Sequence, residues 1–155
     1  MQIIQGKEAV ELRELYAETF LDTQGERYQR YVASSSMNYP KGLMWDCLPL
    51  LPNKKIWESE RACLWQIERH TEVYVIWDVY AYGWGMWHPK PEAVPDFYDT
   101  PSVIHMSAEE FLTRFKEFPD DIYVFDDSLA WTVILTHEYY GKNDKRICYY
   151  VEEIP

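Results

Sequence analysis

The sequence predicts an α+β fold: a mainly antiparallel sheet of about five strands with helices packed on one face, in a single domain over residues 1–155. Three observations carry that reading. Apolar residues recur at helical spacing in three stretches. Runs dense in β-branched and aromatic residues begin at Val73 and dominate the last third of the chain. The resulting order of helices, strand, strand, helix and three strands lacks the regular alternation that builds a parallel sheet. The chain also has the size and balance of one domain, with 155 residues, 47% hydrophobic and 26% charged.

Across residues 7–21, Val10, Leu12, Leu15, Tyr16 and Phe20 recur at helical spacing with Glu8, Glu11, Glu14 and Glu18 between them, the pattern of an amphipathic helix. Residues 26–33 read as a second short helix, with Glu26 and Arg30 placed as an i,i+4 pair. The serine-rich stretch ending at Pro40 breaks it, because proline biases Tyr39 away from helix. Residues 43–48 are apolar and too short to classify. Residues 56–70 read as a helix with Ile56, Cys63, Leu64 and Ile67 inward. In that helix Trp57, Arg61 and Trp65 fall at i, i+4 and i+8, a stripe that either packs or sets Arg61 against an indole face.

Residues 73–80 read as the clearest strand and 103–106 as a short one. Ser107 and Glu110 form a capping box, and Phe111, Leu112, Phe115 and Phe118 are the buried face of the helix behind it. Residues 122–126, 131–138 and 145–152 read as three consecutive strands, the last two joined by the turn residues 141–144.

Aromatic residues reach 17%, with 13 Tyr, 7 Trp and 6 Phe, which favours extensive contact surface rather than a particular chemistry. The net charge is -11. Residues 90–155 hold 14 acidic and 6 basic residues, a balance of -8, against -3 for residues 1–89. Such a chain repels phosphate backbones and anionic membranes, so neither nucleic acid nor a membrane is an expected partner. No apolar run reaches the length of a membrane span, and residues 1–8 lack the pattern of a signal peptide. Cys47, Cys63 and Cys148 are odd in number and widely spaced, which fits reduced thiols in the cytoplasm. With four histidines at no ligand-type spacing, no metal and no cofactor is expected.

The densest polar stretch is 126–138. Strict alternation from Trp131 puts Val133, Leu135 and His137 on one face, and a four-residue turn then brings His137 near Cys148 across the hairpin. A His–Cys pair can activate a thiolate, whereas a hydrogen-bonded histidine beside a buried thiol is the more ordinary arrangement. The acidic pairs Asp120–Asp121 and Asp126–Asp127 bracket one strand, where aspartate commonly bonds its own turn. The long loop from Gly83 to Pro101 carries Trp84, Trp87, Asp96 and Asp99, and either lids the core or displays aromatic anchors.

The segment from Asp121 to Glu138 resembles the ending of small bacterial proteins of unknown function, some of whose α+β relatives are immunity proteins encoded beside toxins. The resemblance covers the last quarter of the chain and implies a bacterial, non-enzymatic protein; it transfers no site residues. The leading expectation is therefore a binding protein whose acidic, aromatic surface meets a basic partner. Trp84 and Trp87 are its anchors, and Asp96, Asp99, Asp126 and Asp127 its rim. The alternative is a small enzyme or small-molecule binder using His137, Cys148 and Asp126 in a pocket walled by Trp77 and Trp131. The sequence leaves the oligomeric state open.

Overall fold

Seven strands among the described residues form one sheet in the order β1-β4-β3-β5-β6-β7-β2, every neighbouring pair antiparallel. The strands are β1 (Gln2–Ile4), β2 (Ile56–Glu58), β3 (Glu72–Trp77), β4 (Val103–Ser107), β5 (Ile122–Phe125), β6 (Trp131–Tyr140) and β7 (Lys145–Glu152). The helices are α1 (Gly6–Phe20), α2 (Glu26–Ser35), α3 (Glu60–Glu68) and α4 (Ala108–Arg114), with short 3-10 turns at Met44–Cys47 and Phe115–Glu117. This computed structural model describes residues 1–35, 43–49, 56–78, 102–140 and 145–152. The α+β class with an antiparallel sheet is as expected.

Two expectations need correction: the sheet has seven strands rather than about five, and helices cover both of its faces. Side chains alternate along each strand. Val73, Val75 and Trp77 of β3 therefore join Cys63 and Ile67 of α3 and Phe111 of α4 in one core. Ile76 of β3, with Tyr123 and Phe125 of β5, joins Ala9, Tyr16, Ala17 and Phe20 of α1 and the Met44–Cys47 turn in a second. All four residues of β5 are buried, as befits a central strand covered twice.

Residues 56–70 are not one helix. The Ser59 side chain accepts a hydrogen bond from the Ala62 N–H at 3.2 Å and starts α3 there, while Ile56–Glu58 pairs with β7 as an edge strand. The stripe of Trp57, Arg61 and Trp65 is thereby divided between a strand and a helix. Helix α1 matches its expected limits, but its inner face is Ala9, Tyr16, Ala17 and Phe20, and Val10 and Leu15 face outward. Ser107 caps α4 through the Glu110 N–H at 3.1 Å. The reciprocal half of the capping box does not form, because the Glu110 carboxylate pairs with Arg114 at 2.8 Å and with the N-terminal amine at 3.6 Å. Glu26 and Arg30 are ion-paired as expected.

Candidate functional site

Below the α1 face of the sheet, the Met44–Cys47 turn is pinned by a buried polar network. A turn this short supplies few of its own hydrogen bonds, so side chains from the sheet satisfy its N–H groups. The Met44 N–H donates to Asp78 Oδ1 at 2.9 Å and the Trp45 N–H to the Tyr123 hydroxyl at 2.9 Å. Tyr123 donates in turn to Asp78 Oδ2 at 2.5 Å. The Trp45 indole N–H reaches Asp121 Oδ1 at 2.9 Å. Nearby, Tyr16 and Thr132 share a hydrogen bond of 3.0 Å, and Arg13 spans from α1 to the Trp77 carbonyl at 2.5 Å and the Ser102 carbonyl at 3.4 Å.

Asp78 and Asp121 are both fully buried. Burial pushes the Asp78 carboxyl up to about 7; the hydrogen bonds from Tyr123 and Met44 oppose that rise, and the neighbouring Asp121 adds to it. Burial also raises the Tyr123 and Tyr16 hydroxyls above the ordinary tyrosine value, with Asp78 contributing to both. The Cys47 thiol is pushed up to about 12, first by burial and then by Asp46 and Asp78, which makes it a poor nucleophile.

Asp121 also reaches His137, and this overturns the expected placement of that histidine. The β6–β7 register holds at Leu135↔Cys148 and resumes only at Tyr139↔Arg146, so residues 136–138 stand against the single residue 147. Such a bulge leaves ladder groups unpaired and re-aims side chains. Here Arg146 Nε donates to the Thr136 carbonyl at 2.7 Å, the Thr136 hydroxyl to the Ile147 carbonyl at 2.8 Å, and the His137 N–H to Asp121 Oδ1 at 3.1 Å. The ring of His137 turns to the Trp45 side, 6.3 Å from that indole, and its Nδ1 lies 2.8 Å from Asp121 Oδ2. A carboxylate oxygen only accepts, so Nδ1 donates to Asp121, on a side chain 47% exposed.

His137, Cys148 and Asp126 are therefore not brought together. Cys148 is fully buried opposite Leu135, in the same core as Trp77 and Trp131. Asp126 lies beyond the other end of β5 from Asp121, roughly 16 Å away along an extended strand. There it does what a turn aspartate does, accepting from the Ser128 N–H at 3.0 Å and the Trp131 indole at 2.8 Å. His70, stacked on Trp131 at 4.0 Å, approaches the same carboxylate at 3.2 Å. Asp127 is exposed. Trp84, Trp87, Asp96 and Asp99 lie outside the described residues.

Sequence reasoning missed the partners that matter, Asp121 and Asp78. An aspartate directly before a wholly apolar strand, as Asp121 is before Ile122–Phe125, was the available signal that the carboxylate is drawn into the core.

A second surface lies over α3 and α4. Trp65, at 62%, is the most exposed large hydrophobic among the described residues. It lines a groove of about 690 Å³ together with Leu64 and Leu112 and the charged residues Glu60, Arg61 and Glu68. Among the described residues, no three His, Cys, Asp or Glu side chains are grouped to hold a metal ion, and no helix is long and apolar enough to cross a membrane. No family model matches the chain, and neither does any curated protein or solved structure. Function is accordingly read from the residues themselves.

Proposed function

We propose that this chain is a non-enzymatic binding protein of the bacterial cytoplasm that engages a basic protein partner, in the manner of an immunity protein, on an acidic, aromatic-anchored surface. The observation that carries this reading is Trp65: a tryptophan 62% exposed in a groove whose charged lining is Glu60, Arg61 and Glu68, on a chain of net charge -11. Tryptophan supplies a large, stiff contact area, and the carboxylates steer a cationic partner and form the rim. This anchor lies on α3.

A photo-crosslinker at position 65 should capture a basic protein in cells, while the same group at Lys7 should not. With that protein purified, Trp65→Ala should weaken binding by ~2 kcal/mol, about 30-fold, while changing folding stability by less than about 0.5 kcal/mol. Association should slow as salt rises. An acidic captured protein, or an affinity that ignores the substitution, would refute the reading.

A second reading rests on the His137–Asp121 pair. A half-exposed histidine held at Nδ1 by a buried carboxylate has the geometry of an oriented general base. If it acts so, any hydrolytic activity found on a panel of model esters and amides should fall by ~100-fold or more in His137→Gln. Equal activity in the two proteins would remove it.

A further inference from the structure

We infer that the pocket between the start of α3, the end of α4 and the turn end of the β6–β7 strand pair binds a small organic phosphate carrying an aromatic body. This goes beyond the partner-binding reading and does not depend on it. The pocket encloses about 560 Å³, within the roughly 300–1,000 Å³ range of small-molecule sites. Four cations line it, Arg61, Lys116, Lys145 and Arg146, in a protein whose net charge is -11.

Their commitments differ. Arg146 is used internally: Nε bonds the Thr136 carbonyl, Nη2 the Asp120 carbonyl, and Nη1 approaches Glu60 at 3.5 Å. Arg61, Lys116 and Lys145 are exposed, and among the described residues none of their side chains makes an ion pair or hydrogen bond. With Glu60 set against Arg146, and Asp120 as the other lining carboxylate, the described lining keeps a balance of +2. Three uncommitted cations around one cavity repel one another, and an anion placed between them relieves that repulsion.

The remaining walls say what the anion is attached to. Phe115 is partly buried, Phe118 is buried, and Tyr139 is 54% exposed. Aromatic faces beside a cationic cluster suit a ligand with a flat ring at one end and a multiply charged group at the other. Inorganic phosphate alone would use the cations and leave the exposed Tyr139 ring uncovered. A phosphate monoester of a ring compound uses both.

Titration of the ¹⁵N-labelled full chain with phenyl phosphate and with adenosine monophosphate tests this. Both should give saturable shifts centred on residues 115–118 and 145–146, whereas phenol and adenosine should give none there. The double variant Lys116→Gln, Lys145→Gln keeps the aliphatic stems and should weaken binding at least ~10-fold. Lys7→Gln, a change at an exposed lysine paired with Glu11 on α1, should bind as the unaltered protein does. The spectra themselves report whether each variant is folded. Absence of saturable shifts, equal binding of the neutral compounds, or undiminished binding by the double variant would each overturn the assignment.

Discussion

Asp121→Ala is expected to destabilise the protein by ~3–5 kcal/mol, measured as a fall in the urea midpoint at unchanged slope. The carboxylate is fully buried, and among the described residues it accepts from the Trp45 indole at 2.9 Å, the His137 N–H at 3.1 Å and His137 Nδ1 at 2.8 Å. Removing it orphans two donors inside the protein, each costing about 1–3 kcal/mol, and leaves a cavity beside the second core. Trp45→Phe removes one donor along with its need for an acceptor, so its hydrogen-bond loss should be smaller. The double variant should then show a coupling of ~1–2 kcal/mol. A midpoint shift of less than about 1 kcal/mol for Asp121→Ala would mean that the network does not hold the Met44–Cys47 turn.

The same residue shows where the sequence could be read and where it could not. Period and composition placed α1, α2, α4 and the strands at 73, 103, 122, 131 and 145, because each carries its own local signal. Coverage on both faces was also written locally: Val73–Trp77 and Ile122–Phe125 are unbroken apolar runs, the pattern of strands buried twice. β1 was missed because three residues carry no period, and their pairing with β4 is a tertiary fact. β2 was absorbed into α3 because Ile56 and Trp57 also fit a helical stripe; only the cap at Ser59 separates them.

The placement of His137 failed for a different reason. Alternation is a sound rule until a bulge interrupts it, and this bulge is stabilised by Arg146, Thr136 and Asp121, which lie on three different strands or at their ends. No local signal in residues 131–138 announces those partners. Once the bulge is present, His137 exchanges an expected neighbour, Cys148, for Asp121, and the candidate chemistry changes from thiolate activation to an oriented imidazole.

Asp78 gives the second large effect, in the pH dependence of stability. Its carboxyl stands at about 7 in the folded protein, against an ordinary 3.8, chiefly because it is buried. Between those values the unfolded chain has released the proton while the native state still holds it. Native protein therefore binds more protons, and its stability falls as pH rises from about 4 to about 7, by roughly tenfold in the folding constant per pH unit. Over the whole window the loss approaches ~4 kcal/mol, and it levels off above pH 7, where both states are ionised. The informative quantity is the difference between wild type and Asp78→Asn, which isolates this one group. Asparagine is neutral throughout and can still accept from the Met44 N–H. The variant should lack the downward component, and the two stability curves should diverge between pH 4 and 7 in favour of the variant. Tyr123→Phe removes the 2.5 Å hydrogen bond that supports the charged form. It should carry the upper edge of that window to higher pH, because the carboxylate then ionises later. Parallel curves for wild type and Asp78→Asn across this range would show that Asp78 does not titrate inside the fold.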